Sequence, residues 1–227
     1  MTTRAALFDF SGTLFRLEED DSWFTDILVD EKAVDEHVRA ELMHRLTVPT
    51  GRPVAMSDEQ FESWINRDLQ PHLHREAYLH VMRESGLTDE HARKLYARTV
   101  DPAYWVAYPD TADVLQRLRD RGIAVAVVSN IAWDIRAVFR NHGVDHLVTE
   151  FVLSFETGAV KPNPEIFQAA LTRLGVDAAD AVMVGDSEEA DGGALAVGCR
   201  FALVDPLPVS ARPDGLIRAL TSAGVEV

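Results

Sequence analysis

The sequence predicts an α/β fold, a parallel sheet covered by helices, with a second, helical body inserted after its first strand. Three observations carry this. From about residue 108 onward, short β-branched apolar runs alternate with segments of helical period. A run of the same character, ALF at residues 6–8, stands alone, roughly a hundred residues upstream of the next one. Between the two, from about residue 16 to about residue 105, the spacing is helical and no convincing strand stands out.

Taken in order, ALF ends at Asp9, and the chain turns at once through Ser11, Gly12 and Thr13, presenting a carboxylate at the end of a buried strand. VDEHVRAELMHRL, DEQFESWINRDL, REAYLHVMRESG and DEHARKLYARTV then read as amphipathic helices, the first pair separated by the Pro/Gly-rich TVPTGRPVAMS. ADVLQRLRDRG is a helix stopped at Gly122, IAVAVVSN a buried strand, and AWDIRAVFRNHG a helix stopped at Gly143. The rhythm repeats with strand EFVLSFE, helix NPEIFQAALTRLG, strand AVMVGD, short helix EEADGGALAVG and strand RFALVD. Strands this apolar, separated by helices, imply right-handed crossovers covering both faces of the sheet. The expected domains are therefore a core of residues 1–15 and 106–227 and a helical cap of residues 16–105, joined near 15–19 and 103–109.

A chain of 227 residues buries enough surface to fold without staples, and its single cysteine, Cys199 in GCRFALV, reads as a small buried apolar residue. The formal charge of −15 argues against nucleic acid and anionic membrane as partners. No segment approaches a membrane-spanning length and MTTRAALFDF lacks the pattern of a secretory leader, so the expectation is a cytoplasmic monomer or homodimer. Only Lys32, Lys94 and Lys161 are lysine, against 19 arginines, which makes each lysine worth tracing.

Ligands of open parallel sheets bind beyond the carboxyl ends of the strands. Four such ends carry polar groups here: Asp9; Ser129 and Asn130; Lys161 in the loop GAVKPNPE; and Asp186, Ser187 and Asp191 after AVMVG. These types suit phosphoryl transfer. A carboxylate can attack phosphorus, a lysine and a hydroxyl can bind the transferring oxygens, and Asp9 and Asp186 can share a Mg²⁺ that offsets their repulsion. Asp186 and Asp191 lie about 500° apart on a helix, so they converge only if GDSEE is a loop leading into the helix.

In this order and at these spacings, DFSGTL, VVSN, VKPNPEIF and GDSEEAD resemble the four motifs of the haloacid dehalogenase (HAD) superfamily of hydrolases, over nearly the whole chain. The insertion resembles the helical cap that follows the first motif in one large subclass. The resemblance implies a Rossmann-like core and a phosphatase of a small phosphorylated metabolite. In that scheme Asp9 is the nucleophile and forms an aspartyl-phosphate, while Thr13, Ser129 and the Asn130 backbone hold the substrate. Lys161 balances the charge of nucleophile and substrate. Asp9, the Ser11 carbonyl, Asp186 and Asp191 position Mg²⁺.

The departure is Ser11, where phosphatases of the family usually carry an aspartate that acts as general acid and base. A serine keeps its carbonyl for the metal but does not titrate near neutrality, which removes a contribution of about 10²–10⁴ in rate. Family members that cleave carbon–halogen or carbon–phosphorus bonds also lack that aspartate. The retained Asp186 and Asp191 argue against the metal-free dehalogenases, and a Schiff-base phosphonate hydrolase requires a cap lysine, Lys32 or Lys94. A non-catalytic binding protein is a third reading, supported by Ser11 alone. Ser187 serves equally as a helix cap, and Glu188 and Glu189 read as charges at a helix start. His72 and His74, two apart on a helix, point to different sides and make a poor metal pair. Trp133 and Trp23 are the aromatic residues placed to face a substrate.

Overall fold

The computed structural model describes residues 2–18, 23–29, 32–47 and 52–227. Strand β1 (Ala5–Phe8) is followed by β2 (Phe15–Leu17), a short hairpin of β3 (Leu28–Val29) and β4 (Lys32–Ala33), and helices α1 (Glu36–Thr47), α2 (Asp58–Ile65), α3 (Pro71–Glu84) and α4 (Asp89–Val100). β5 (Trp105–Ala107) returns the chain to the sheet. There α5 (Thr111–Asp120), β6 (Ala124–Ser129), α6 (Arg136–Asn141), β7 (Glu150–Leu153), α7 (Ser154–Thr157), α8 (Pro164–Leu174), β8 (Ala181–Gly185), β9 (Arg200–Leu203) and α9 (Gly215–Ser222) complete the fold.

Five strands form a parallel sheet in the order β7-β6-β1-β8-β9. This is the α/β, Rossmann-like arrangement that the alternating pattern predicts. The strands are apolar throughout because both faces are covered: Ala6, Phe8, Val125, Val127, Val182 and Val184 point into one layer, and Ala5, Leu7, Ala126, Val128 and Met183 into the other. α5, α6 and α9 fill the first layer, while Ile166, Phe167, Ala170 and Leu171 of α8 fill the second. β1 is central, and the chain winds outward from it on one side and then on the other. The switch in direction falls at its carboxyl end, where Asp9 stands between the ends of β6 and β8.

Three local readings differ from the structure. EFVLSFE is a strand only as far as Leu153, after which residues 154–157 are helical, and the segment after GDSEE is a 3-10 turn over Asp191–Val197 whose adjacent Gly192 and Gly193 weaken an α-helix. The stretch read as strand-free contains β3, β4, most of β2 and the start of β5. β2 and β5 pair antiparallel, Phe15 opposite Ala107 and Leu17 opposite Trp105, and form the double connection to the inserted helices. Runs of two or three residues are too short for a period of two to show. Residue 19, at one expected junction, and residues 48–51 of the Pro/Gly-rich spacer lie outside the described residues.

The inserted helices share most of their core with the sheet, while Trp64, Ala77 and Val81 form a small cluster of their own. Leu42, Met43, Leu46, Leu79, Met82, Leu87 and Leu95 join the apolar layer of α5 and α6 in one cluster, with Trp23, Phe24 and Trp105 between. Phe10, Phe15, Trp105, Trp133 and Phe139 stack beneath this junction, Phe10 lying 4.5 Å from the Trp105 ring centre and Phe15 4.8 Å from that of Phe139.

The turn after β1 is held from below by Arg212, which is 2% exposed. Its guanidinium donates to the carbonyls of Gly12 (2.7 Å) and Thr13 and lies over the Tyr108 ring. Charged donors of this kind contribute about 1.5–3 kcal/mol each. Replacing Arg212 by alanine is therefore expected to lower stability by about 3 kcal/mol or more in urea unfolding. A loss below about 1 kcal/mol would show that the turn is held by other means.

Candidate active site

Asp9 reaches its position because β1 is in register with both neighbours: Phe8 pairs with Val127 and with Val184, and the Asp9 amide donates to the Val184 carbonyl at 2.9 Å. The chain then reverses through Gly12, at φ +78°, where a Cβ would stand 2.2 Å from an Asp186 carboxylate oxygen. Only glycine fits between the turn and that carboxylate. Gly185 is constrained in the same way, since a Cβ there would overlap the Asp191 side chain at 2.1 Å.

Lys161 is 5% exposed, and its ammonium donates to Asp9 Oδ1 and to Asp191 Oδ1, each at 2.6 Å. The loop that carries it is clamped by Asn130, whose side chain donates to the Lys161 carbonyl (3.0 Å) and accepts from the Lys161 amide (2.7 Å). Asp191 accepts from the Ser187 amide (3.0 Å) through its second oxygen, and the Ser187 hydroxyl caps the Ala190 amide (3.1 Å). GDSEE is thus a loop, and it brings Asp186 and Asp191 together. One carboxylate oxygen from each of Asp9, Asp186 and Asp191 lies within 4.8 Å of the others.

Three carboxylates face one lysine. Burial pushes the Asp9 carboxyl up to about 6, with Lys161 pulling it down and Asp191 adding to the rise. Burial, then Asp9 and Asp191, push Asp186 up to about 7. Burial works against the Lys161 charge, but Asp191 and Asp9 outweigh it and hold the ammonium well above its usual range. The cluster is short of positive charge, and three hard oxygen donors at this separation can hold a divalent cation.

A cavity of about 300 Å³ opens over this cluster. Its floor is Asp9, Ser11, Ser129, Asn130, Lys161 and Asp186, with the buried Asp191 behind Lys161 and Ser187 beside them. Thr13, assigned to substrate by the sequence, does not line it: the residue is fully enclosed, facing inward beside the turn. Trp133 lines the cavity, whereas Trp23 is buried elsewhere. Lys32 is exposed, Lys94 is half-buried and paired with Glu90, and neither lines the cavity, so no cap lysine is placed for a Schiff base among the described residues. Glu188 and Glu189 are exposed and His72 points to solvent.

The wall opposite the floor was not legible in the sequence. It is made by Arg67, Asp68, His74 and Tyr78, with Leu46, Thr99 and Trp105 beside them. Asn66 ends α2, and Pro71 starts α3 and keeps Gln70 extended, so residues 67–69 form a 3-10 turn aimed at the sheet. The signal available in the sequence was the proline following NRDLQ, which marks a break between two helices. His74 is buried, its Nδ1 lies 2.9 Å from the Tyr96 hydroxyl, and burial and then Arg67 push its pKa down to about 3, so the ring is neutral. Cys199 is buried, and desolvation pushes its thiol up to about 11, in line with a packing role.

A parallel sheet wound outward from β1, with polar groups gathered at its switch point, defines a Rossmann-like α/β protein with a ligand-binding crevice. The family of haloacid dehalogenase-like hydrolases matches residues 3–198, and the chain belongs to it. A ribulose-1,5-bisphosphate 5-phosphatase of Halopiger xanaduensis is 36% identical over 155 residues, 64% of this chain and 65% of that protein. The phosphoserine phosphatase of Thermus thermophilus is 33% identical over 141 residues, 59% of this chain and 57% of that one. The match thus spans less than two thirds of either relative. The structure of an L-2-haloacid dehalogenase from Xanthobacter autotrophicus, with chloropropionic acid covalently bound, shares the fold at a TM-score of 0.65 and 22% identity, covering 100% of this chain and 85% of that one.

The carboxyls of Asp9 and Asp186 bind protons more tightly folded than unfolded, so their contribution to stability is present at low pH and is lost as pH rises from about 4 through about 7. A divalent cation reverses this by favouring the ionised carboxylates. Mg²⁺, used as the probe, is expected to raise the melting temperature of the metal-stripped protein more at pH 8 than at pH 5. An equal rise at both would show that it binds elsewhere.

Proposed function

We propose that the protein is a Mg²⁺-dependent phosphatase of a small phosphorylated metabolite, working through an aspartyl-phosphate on Asp9. The observation that carries this reading is the Lys161 ammonium held at 2.6 Å between Asp9 and Asp191 on the floor of the cavity, beside Asp186. The two phosphatase relatives support the substrate class, since ribulose bisphosphate and phosphoserine are small phosphate esters. The inserted helices act as a cap that closes the cavity and selects the substrate. Gating by the cap runs through the β2–β5 ribbon.

Asp9 and Asp186, with the Ser11 carbonyl, would hold Mg²⁺; Asp191 stands behind them, its two oxygens engaged by Lys161 and Ser187. The bound cation supplies Lewis-acid neutralisation of phosphoryl charge. Ser129 and the backbone at Asn130 bind the phosphoryl oxygens. Lys161 withdraws charge from Asp9 at rest and shares its protons with the phosphoryl group as Asp9 attacks. The Asp9 carboxylate forms an acyl-phosphate bond while the ester oxygen departs, and water then attacks phosphorus and returns the carboxylate. Ser11 offers no titratable proton to either step.

Phosphate release from 4-nitrophenyl phosphate is expected to require Mg²⁺ and to fall to background in Asp9→Asn. Lys161→Met should cost about 10³-fold, because it leaves Asp9 and Asp191 uncompensated in a buried site. Halide release from 2-haloacids without phosphate release from any ester would overturn the reading in favour of a dehalogenase.

A further inference from the structure

The geometry points to Asp68 as the group that gives its proton to the leaving oxygen, taking over from the inserted cap the task that Ser11 cannot perform. This inference rests on the phosphatase reading of the site. Asp68 lines the same cavity as Asp9, Ser11 and Lys161, on the wall that faces them. Its turn is fastened to the sheet: the fully buried Ser154 hydroxyl accepts from the Ile131 amide (2.8 Å) and donates to the Asp68 carbonyl (2.5 Å). Ser154 immediately follows β7 and Ile131 lies two residues beyond β6, so the position of Asp68 is set by the two strand ends beside the phosphoryl subsite.

The other ionisable groups of that wall are unsuited to proton transfer. Arg67 stays charged, lies over the Trp64 ring and donates to the Trp64 carbonyl. The His74 ring is neutral and engaged with Tyr96. Burial holds the Tyr78 hydroxyl above its usual range. Asp68 is part-buried, and burial raises its carboxyl, moderated by Arg67 at 3.8 Å and by Lys161 across the cavity. It is the carboxyl of that wall, and a carboxyl can both give and accept a proton.

The step balances. As an Asp9 oxygen bonds to phosphorus and the ester P–O bond breaks, the leaving oxygen takes the Asp68 proton and departs as the alcohol. The Asp68 carboxylate then accepts a proton from the water whose oxygen attacks phosphorus. That attack breaks the bond to Asp9, releases phosphate and restores the acid.

The test compares kcat/KM, which reports steps up to leaving-group departure, for aryl and alkyl phosphates with Mg²⁺. Wild type should show a shallow dependence on leaving-group pKa. In Asp68→Asn the alkyl esters should lose about 10²–10³-fold more than 4-nitrophenyl phosphate, and adding Ser11→Asp should recover at least tenfold of that difference. Asp68→Glu should lose less than Asp68→Asn. Equal losses on aryl and alkyl esters, or none, with wild type active on both, would overturn the role of Asp68 and leave the phosphatase reading intact. Wild type inactive on every ester would overturn that reading itself.

Discussion

A buried ammonium between two buried carboxylates organises this molecule. Lys161 is taken out of water at a cost of several kcal/mol, which only its contacts with Asp9 and Asp191 offset. Each of the three charges therefore depends on the other two. The loop carrying the lysine is clamped by Asn130, the loop carrying Asp191 is tied through Ser187, and Asp9 is fixed by the register of the central strand. Three chain segments distant in sequence are bound into one frame, and the cavity takes its shape from that frame. Asp186 adds a third carboxyl to one lysine, so the floor favours ligands that bring positive charge, as a divalent cation does.

The floor of the cavity was legible in the sequence, and its ceiling was not. Asp9, Ser129, Lys161 and Asp186 each follow an apolar run or open a helix, and the change of period marks those points as strand ends facing one crevice. Arg67, Asp68, His74 and Tyr78 lie in amphipathic helical sequence, where a polar residue reads as surface unless the neighbouring body is known. The same limit hid Arg212. Nothing in ARPD announces that its arginine is buried under a turn formed near residue 12. Thr13 shows the opposite error: a hydroxyl in a motif reads as ligand-facing, yet the turn that brings Asp9 and Ser11 to the cavity sends the next side chain inward.

Most of the buried apolar side chains of the inserted helices join one layer with those of the sheet. Trp105 belongs to both bodies. It pairs with Leu17 in the ribbon, stacks on Phe10 next to Asp9, and lines the cavity. A displacement of the inserted helices must shear this stack, which couples the position of the ceiling to the residue beside Asp9. Ser154 supplies the polar counterpart, one hydroxyl bridging the turn of Asp68 to the loop after β6.

The place of β1 in the sheet also governs how the chain assembles as it is made. The central strand is made before both of the strands that flank it, which are translated only after the whole insertion. A fully apolar strand, with two unpaired edges and the carboxylate at its end, must therefore wait for partners, and the sheet grows outward from contacts of long sequence separation. Helices α1–α4, rich in local contacts, can form during that wait.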